Sequence, residues 1–295
     1  MLKGLFAQSK PFSLFLITVF VAIFMMLFAV ASFALLMVTI GLSDFSSNVF
    51  LTLFAQAYQS LFVFFLTSLF CAYIFDKKPV QYLHLYSHAQ WHSYLYVIFS
   101  MFLLIPTINV LAQWNANLHL PNCLQFVETW MAKQEELASG VTKFLLSGNG
   151  ISSLIISLFV MSILPAVGEE LLFRGVLQNI MISWTKNVHV AIWVVAFIFG
   201  VIHIQFFGLI PRILLGAFFG YLLVWGKTVW LPILAHFLNN AVSVIFYMLK
   251  NNHKISFDID TLGTGETFYV TIVGVVLFLA MTYFAFRKNI FRQVA

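Results

Sequence analysis

Eight apolar segments run through the sequence, and a chain of this kind can fold only as a helix bundle in a membrane. Each segment is close to or above the ~20 residues that an α-helix needs to cross a bilayer. The segments are 13–41, 48–75, 91–113, 150–184, 188–207, 209–226, 230–249 and 267–286. The first and fourth are longer than one crossing requires. We therefore expect these two to tilt, to extend beyond the bilayer or, in the fourth, to break at Pro165.

The composition also predicts an all-α, polytopic membrane helix bundle. Hydrophobic residues make up 62% of the chain and charged residues 8%, whereas soluble domains have about 25% charged residues. No internal repeat, low-complexity stretch or long linker divides the sequence, so we expect a single membrane domain over residues 1–295. Cys71 lies within an apolar segment and Cys123 between two of them, which does not suggest a disulfide framework.

The basic residues predict the orientation of the bundle. Eight crossings place both ends of the chain on one side of the membrane. That side would carry nine basic residues, namely Lys3, Lys10, Lys77, Lys78, Lys186, Lys227, Arg287, Lys288 and Arg292. The other side would carry four, namely Lys133, Lys143, Lys250 and Lys254. Because cytoplasmic loops are rich in lysine and arginine, we expect both termini in the cytoplasm. The net charge of +5 then reflects topology and not nucleic-acid binding.

Three charged residues stand inside the fourth apolar segment, in "GEELLFRG". Glu169 and Glu170 are the only acidic residues within the predicted crossings, and a charge at mid-membrane costs at least ~2.5–3.5 kcal/mol. Glu170 and Arg174 are four positions apart, which predicts an ion pair on one helix face. Glu169 points ~100° away and has no partner on its own helix. An unpaired carboxyl in a dry site suits a general acid or base, although the three residues could also serve only to hold helices together.

Two histidines and an asparagine lie in later apolar segments. His203 is in the fifth, and His236 and Asn240 are four apart on one face of the seventh. At ~1.5 Å per residue, Glu169 and His203 are each ~25 Å from Lys186, so the groups can meet at one level in the membrane. A single histidine in a bundle often serves packing only. A carboxylate, two imidazoles and an amide together, however, are what water-mediated acyl hydrolysis requires.

Three motifs that occur in order resemble those of the CPBP intramembrane proteases, a family that includes the type II CAAX prenyl endopeptidases and the bacterial Abi proteins. Two glutamates and an arginine form the first motif, "EELLFR" at 169–174. The second is a phenylalanine and a histidine four positions later, "FGVIH" at 199–203. The third is "HFLNN" at 236–240. The resemblance covers about residues 150–250.

The resemblance implies an eight-helix membrane fold that hydrolyses a peptide bond within the membrane without a cofactor. It implies that Glu169 is the base that activates water, assisted by His203. His236 and Asn240 would form the oxyanion site. The substrate would be a membrane-associated protein or peptide. The expected location is a bacterial cell membrane.

Other functions remain open at this point. A zinc site of Glu169, His203 and His236 with one open position is chemically feasible, although the sequence has no HExxH motif. The chain could instead bind a partner without cutting it, as a scaffold or immunity protein. It could also be a proton-coupled transporter, since intramembrane glutamates and histidines serve proton relays.

Two further features concern the side of the membrane opposite the termini. Residues 126–146 predict an amphipathic helix that is either a surface helix or a lid over the bundle. The residues expected on one face of it are Trp130, Leu137, Val141 and Phe144. Arg212 is expected to extend outward to the membrane surface.

Overall fold

The computed structural model describes residues 2–40 and 48–291, and within these residues the regular structure is helical. Arg292, used above to predict the orientation, lies outside the described residues. The helices are α1 (Pro11–Thr39), α2 (Val49–Phe75), α3 (Pro79–Tyr82), α4 (Trp91–Ala116), α5 (Gln125–Leu145), α6 (Gly150–Thr185), α7 (Val188–Val201), α8 (Leu209–Gly226), α9 (Trp230–Asn251) and α10 (Phe268–Arg287).

Seven of the described helices are long and apolar enough to cross a membrane, which confirms the polytopic helical bundle. They are α1, α2, α4, α6, α8, α9 and α10. For α8 and α10, the span includes the 3₁₀ turn that precedes the helix. The fifth apolar segment differs from the expectation. Its helix, α7, has 14 residues and ends at Val201, so its length of ~21 Å is less than the ~30 Å of a hydrocarbon core. The chain continues as a turn that lies beside the end of α4, where Asn115 Nδ2 donates to the Phe206 carbonyl oxygen at 3.0 Å.

The fourth apolar segment forms one continuous helix, α6, and does not break at Pro165. Widened π turns at Phe159–Ile163 and Leu171–Leu177 lie on either side of the two glutamates. The first comes directly before Pro165, whose ring would clash with a carbonyl oxygen four residues earlier in a regular helix. Local π turns relieve such clashes in membrane helices, and they are frequent at functional sites.

Both ends of the described chain lie at one end of the bundle, referred to below as the terminal end. Near the N-terminus, the ring of Phe12 packs against Trp184 in α6, with centroids 5.5 Å apart. Near the C-terminus, Phe291 packs against Trp225 in α8, also at 5.5 Å. His84, in the loop after α3, hydrogen-bonds to both α6 and the residue before α9. The location of the terminal end in the cytoplasm stays a prediction.

Two glycines on α8 let three helices approach closely around the site. Gly216 and Gly220 have the four-residue spacing of small residues that is typical of tight helix packing in membranes. A Cβ on Gly216 would lie 3.3 Å from the Cα of Ala196 on α7. The carbonyl oxygens of the two glycines accept hydrogen bonds from α6, from Arg174 Nη2 at 3.0 Å and from Gln178 Nε2 at 3.1 Å. These bonds fix the register of α6 against α8.

The amphipathic segment forms α5 and lies at the end of the bundle opposite the termini. Trp130, Leu137 and Val141 are 48%, 56% and 54% exposed, so the apolar face points away from the protein. This is the arrangement of a helix that lies in a membrane surface. On its other side, Glu135 and Thr142 line the central cavity. The helix therefore borders the cavity, and its place in the membrane surface stays a prediction.

Candidate active site

The buried charges of α6 form one cluster with a histidine from α9. Glu170 and Arg174 are fully buried. Arg174 Nε lies 3.1 Å from Glu170 Oε2, and Arg174 Nη1 donates to Glu170 Oε1 at 3.1 Å. His236 Nδ1 is 2.8 Å from the same Oε1 atom. The ion pair expected from the sequence is present, and its carboxylate also holds His236, a contact that the sequence analysis did not anticipate.

Aromatic rings surround the rest of Arg174. Its guanidinium carbon lies 4.7 Å from the ring centroid of Phe199 and 5.6 Å from that of Phe219, within the range of cation–π attraction. The Phe219 ring also stacks on His236, with centroids 5.5 Å apart. The N–H groups of Arg174 meet a carboxylate and a carbonyl oxygen, and its faces meet aromatic rings. The charge of Arg174 is therefore compensated entirely by the protein.

Glu169 lies beside this cluster but faces a different group. Its Oε2 atom is 3.8 Å from His203 Nε2. No hydrogen-bond partner of that oxygen occurs in the described part of the chain. The separation is too long for a direct hydrogen bond and is in the range where a bridging water is expected. The fold thus brings together the two residues that the sequence analysis paired.

His203 lies in the turn after α7 and not inside the helix that the apolar pattern predicted. Ile204, the next residue, has a left-handed backbone conformation with φ 54°. His203 Nδ1 is 2.6 Å from the carbonyl oxygen of Phe199, at the end of α7. Because a carbonyl oxygen only accepts, Nδ1 carries a proton, and in a neutral ring Nε2 has the lone pair. The four-residue spacing of "FGVIH" is the spacing of this bond.

One cavity of about 1280 Å³ joins these groups to the outside. All four residues predicted to be catalytic line it, namely Glu169, His203, His236 and Asn240. It extends to the end of the bundle opposite the termini, where Lys250 pairs with Asp258. That contact lowers the pKa of the Asp258 carboxyl, whereas burial raises the pKa of neighbouring Asp260. The cavity therefore has a charged mouth, and the four predicted catalytic residues line its inner part.

Asn240 contributes an amide to the cavity wall. Its Oδ1 atom accepts a hydrogen bond from Asn239 Nδ2 at 3.3 Å. Asn240 Nδ2 makes no hydrogen bond to any residue that the structure describes, so it is available to donate to a ligand. Asn239 also lines the cavity. Asn239 therefore borders the same cavity and holds the Asn240 side chain.

Arg212 is the functional candidate that the sequence analysis missed. Its Nη1 donates to the carbonyl oxygen of Gln205 and its Nη2 to Gln205 Oε1, both at 3.0 Å. The side chain lines the same cavity as Glu169, so the expectation that it extends outward is wrong. The available signal was the charge itself, since Arg212 stands within a predicted crossing just as Glu169 does.

The residues named for a zinc site are not arranged as one. Among the described residues, no group of three or more His, Cys, Asp or Glu side chains is placed to hold a metal ion. The Nδ1 atom of His236 bonds Glu170, and the Nδ1 atom of His203 bonds a backbone carbonyl. Only the Nε2 atoms of the two rings remain for a ligand. Such bonds at Nδ1 are also usual for zinc-binding histidines, so these bonds do not decide between direct water attack and a zinc mechanism.

Comparison with models of known families matches one segment of this chain. Residues 151–242 match the model described as type II CAAX prenyl endopeptidase Rce1-like. This segment is similar to the Rce1-like family. The resemblance inferred from the three motifs is thereby confirmed. Comparisons with curated proteins and with solved structures give no match.

The Rce1-like segment contains all residues of the three motifs and ends two positions after Asn240. It comprises nearly all of α6, then α7, α8 and the first half of α9. Helices α4 and α5 lie outside it, although both help to line the cavity. The family implies a protease with a protein substrate in the bilayer, and the helices make it an integral multi-pass membrane protein. A bacterial origin stays a prediction.

Proposed function

We propose that the chain is an intramembrane endopeptidase that cuts a membrane-associated protein or peptide by direct attack of water. One observation carries the proposal. Glu169 Oε2 has no hydrogen-bond partner among the described residues, and it lies 3.8 Å from His203 Nε2 in a cavity that reaches one face of the bundle. The family match supports protease activity.

Glu169 acts as the base in this proposal. A water between Glu169 and His203 donates one hydrogen bond to His203 Nε2, which leaves its other proton directed at Glu169. As the water oxygen attacks the carbonyl carbon of the substrate, that proton passes to the carboxylate. The carboxylic acid so formed then gives the proton to the leaving amine as the C–N bond breaks. No serine or cysteine nucleophile takes part.

Asn240 and His236 stabilise the oxyanion in different ways. The Asn240 amide donates whatever the pH. His236 is more constrained, because its Nδ1 must carry a proton to bond Glu170, so Nε2 can donate only when the ring is an imidazolium. Asn240 is therefore the donor that does not depend on protonation.

Replacing Asn240 tests the oxyanion assignment. Loss of one oxyanion donor costs roughly 10²–10³ in kcat, or about 2.7–4 kcal/mol. We expect Asn240→Ala to slow turnover by that factor with little change in KM, because the contact strengthens in the transition state. Steady-state kinetics in proteoliposomes measure both constants. Asn239→Ala is the matched control and should be milder, since it removes only the support of Asn240. A raised KM at constant kcat for Asn240→Ala would instead make the residue a substrate-binding group.

Chelation separates the water mechanism from the zinc alternative. If Glu169 and His203 activate water directly, purified protein in proteoliposomes should retain its rate of peptide cleavage after exhaustive dialysis against a strong chelator. Product formation is measured by mass spectrometry before and after dialysis. Activity that disappears on chelation and returns with one equivalent of zinc would establish the metalloprotease mechanism instead.

A further inference from the structure

We propose that Arg212 is a specificity-determining residue that binds a carboxylate of the substrate. The chain would then act on peptides that carry a carboxylate a few residues from the bond that is cut. This inference rests on the proposed peptidase function and adds a chemical class of substrate. It starts from the position of Arg212 in the wall of the cavity that also contains Glu169 and His203.

The Arg212 guanidinium has donors that the protein does not use. Its two hydrogen bonds go to the backbone oxygen and the side-chain oxygen of Gln205. A guanidinium has five N–H donors, so these bonds leave three for a ligand. No ion pair of Arg212 occurs in the part of the chain that the structure describes. The charge is thus held in place by neutral acceptors and is not neutralised by a contacting carboxylate.

The contrast with Arg174 indicates a role in binding. Arg174 is fully buried, paired with Glu170 and enclosed by aromatic rings, as a structural charge should be. Arg212 is partly exposed, and its surroundings are the cavity. A cation that no carboxylate contacts is costly within a membrane protein and is usually functional. The planar fork of a guanidinium matches a carboxylate in a bidentate pair, so a substrate carboxylate is the ligand that fits.

Glu135, on α5, faces the same space. Its Oε2 is buried and has no hydrogen-bond partner among the described residues. It lies within electrostatic range of Arg212 but not within ion-pair distance. A substrate carboxylate in direct contact with Arg212 would therefore lie near Glu135, which repels it but does not occupy the position beside the guanidinium. Glu135 competes for the guanidinium, so its removal should strengthen binding of the substrate.

The carboxylate could come from two sources with the same chemistry, namely the free C-terminus of a peptide or an aspartate or glutamate side chain. His203 and Gln205 belong to one short turn, and Gln205 holds Arg212. A carboxylate on Arg212 would therefore lie close to the water between His203 and Glu169. This places the recognised group only a few residues from the cleaved bond.

Matched peptides test the proposal. Three versions of one membrane-anchored peptide would carry a free C-terminal acid, a C-terminal amide, or the amide with an added glutamate. We expect the acid, or the glutamate version, to have a KM about 10- to 100-fold below that of the plain amide. Which version is preferred identifies the source of the carboxylate. Equilibrium binding of the same peptides to the Glu169→Gln variant should give the same order without any cleavage.

Variants then attribute the preference to Arg212. Arg212→Ala should bind acid and amide alike, and Arg212→Lys should keep part of the preference because it retains the charge but not the fork. Gln205→Ala is the matched control, since it removes the side-chain acceptor of one internal hydrogen bond and leaves both the cation and the backbone acceptor. It should keep the preference, whereas Glu135→Gln should increase it.

Two results would overturn the inference. One is an acid-to-amide ratio that Arg212→Ala leaves unchanged. The other is an equal loss of kcat on all three peptides, which would mean that Arg212 acts on Glu169 and not on the substrate. Failure of the peptidase function is distinguishable, because the binding assay needs no cleavage. An Arg212-dependent preference for the acid in that assay would support this inference even if no peptide were cut.

Discussion

Glu169→Gln is expected to abolish peptide cleavage while the protein stays folded. General base catalysis by a positioned side chain contributes roughly 10²–10⁴ in rate, and an amide cannot accept the proton of the attacking water. The change is nearly isosteric, and a neutral amide is cheaper to bury than a carboxylate. We therefore expect the free energy of unfolding to change by less than about 1 kcal/mol. Product formation from a membrane-anchored peptide library, read by mass spectrometry, measures the first effect.

Glu169→Asp is the control that keeps the carboxylate but moves it. Shortening the side chain by one methylene shifts the oxygens away from His203, and a displacement of ~1 Å can cost 10² in rate. We expect Glu169→Asp to be slow but measurably active, between the native protein and Glu169→Gln. Cleavage by Glu169→Gln at a rate comparable to the native protein would rule out the assignment of Glu169 as the base.

The same variant separates the three functions that the sequence left open. A non-proteolytic immunity or scaffold protein should still bind its partner when Glu169 is neutral, and neither form should cut the partner. A proton-coupled transporter should lose proton-driven uptake in proteoliposomes, again without peptide products from the native protein. If the protein is a peptidase, Glu169→Gln should retain uncut substrate, and mass spectrometry of the captured peptides would then identify it.

Most of the fold could be predicted from apolar length alone, because a membrane leaves the backbone few alternatives to the helix. The turn at His203 could not. The residues after Val201 continue the apolar pattern, and the helix ends where the His203 side chain bonds the Phe199 carbonyl. The hydropathy of the sequence does not predict such a hydrogen bond. The π turns of α6 escaped prediction for the same reason, since they conserve the apolar character of the segment.

The candidate site was predictable in its members but not in all its contacts. The spacing of Glu170 and Arg174 on one helix was sufficient to predict their ion pair. The contact between Glu170 and His236 depends on how α6 and α9 cross, and bonds such as that from Gln178 to Gly220 fix the position of α6. Likewise, whether the Arg212 side chain points into the cavity depends on the turn that positions Gln205. The spacing of residues within one helix predicts contacts on that helix, whereas contacts between helices depend on how the helices pack.

Glu170→Gln is expected to destabilise the protein far more than Glu169→Gln does, although the two residues are adjacent. The substitution removes the only carboxylate that contacts Arg174 among the described residues. The guanidinium would keep the Gly216 carbonyl and its aromatic neighbours, but it would become an uncompensated buried charge. Breaking a buried ion pair by removing one partner costs about 3–5 kcal/mol. His236 also loses a charged acceptor, so cleavage should fall as well.

The buried Cys71 thiol provides the measurement. A thiol-reactive dye would report unfolding in detergent through Cys71, in a Cys123→Ser background that removes the exposed thiol. Adding Arg174→Met to Glu170→Gln is the decisive step. The double variant has no buried charge at this position, so much of the lost stability should return, which a sum of two independent losses would not produce. Equal melting temperatures for Glu169→Gln and Glu170→Gln would contradict the structural role assigned to Glu170, because the two carboxylates would then contribute equally to stability.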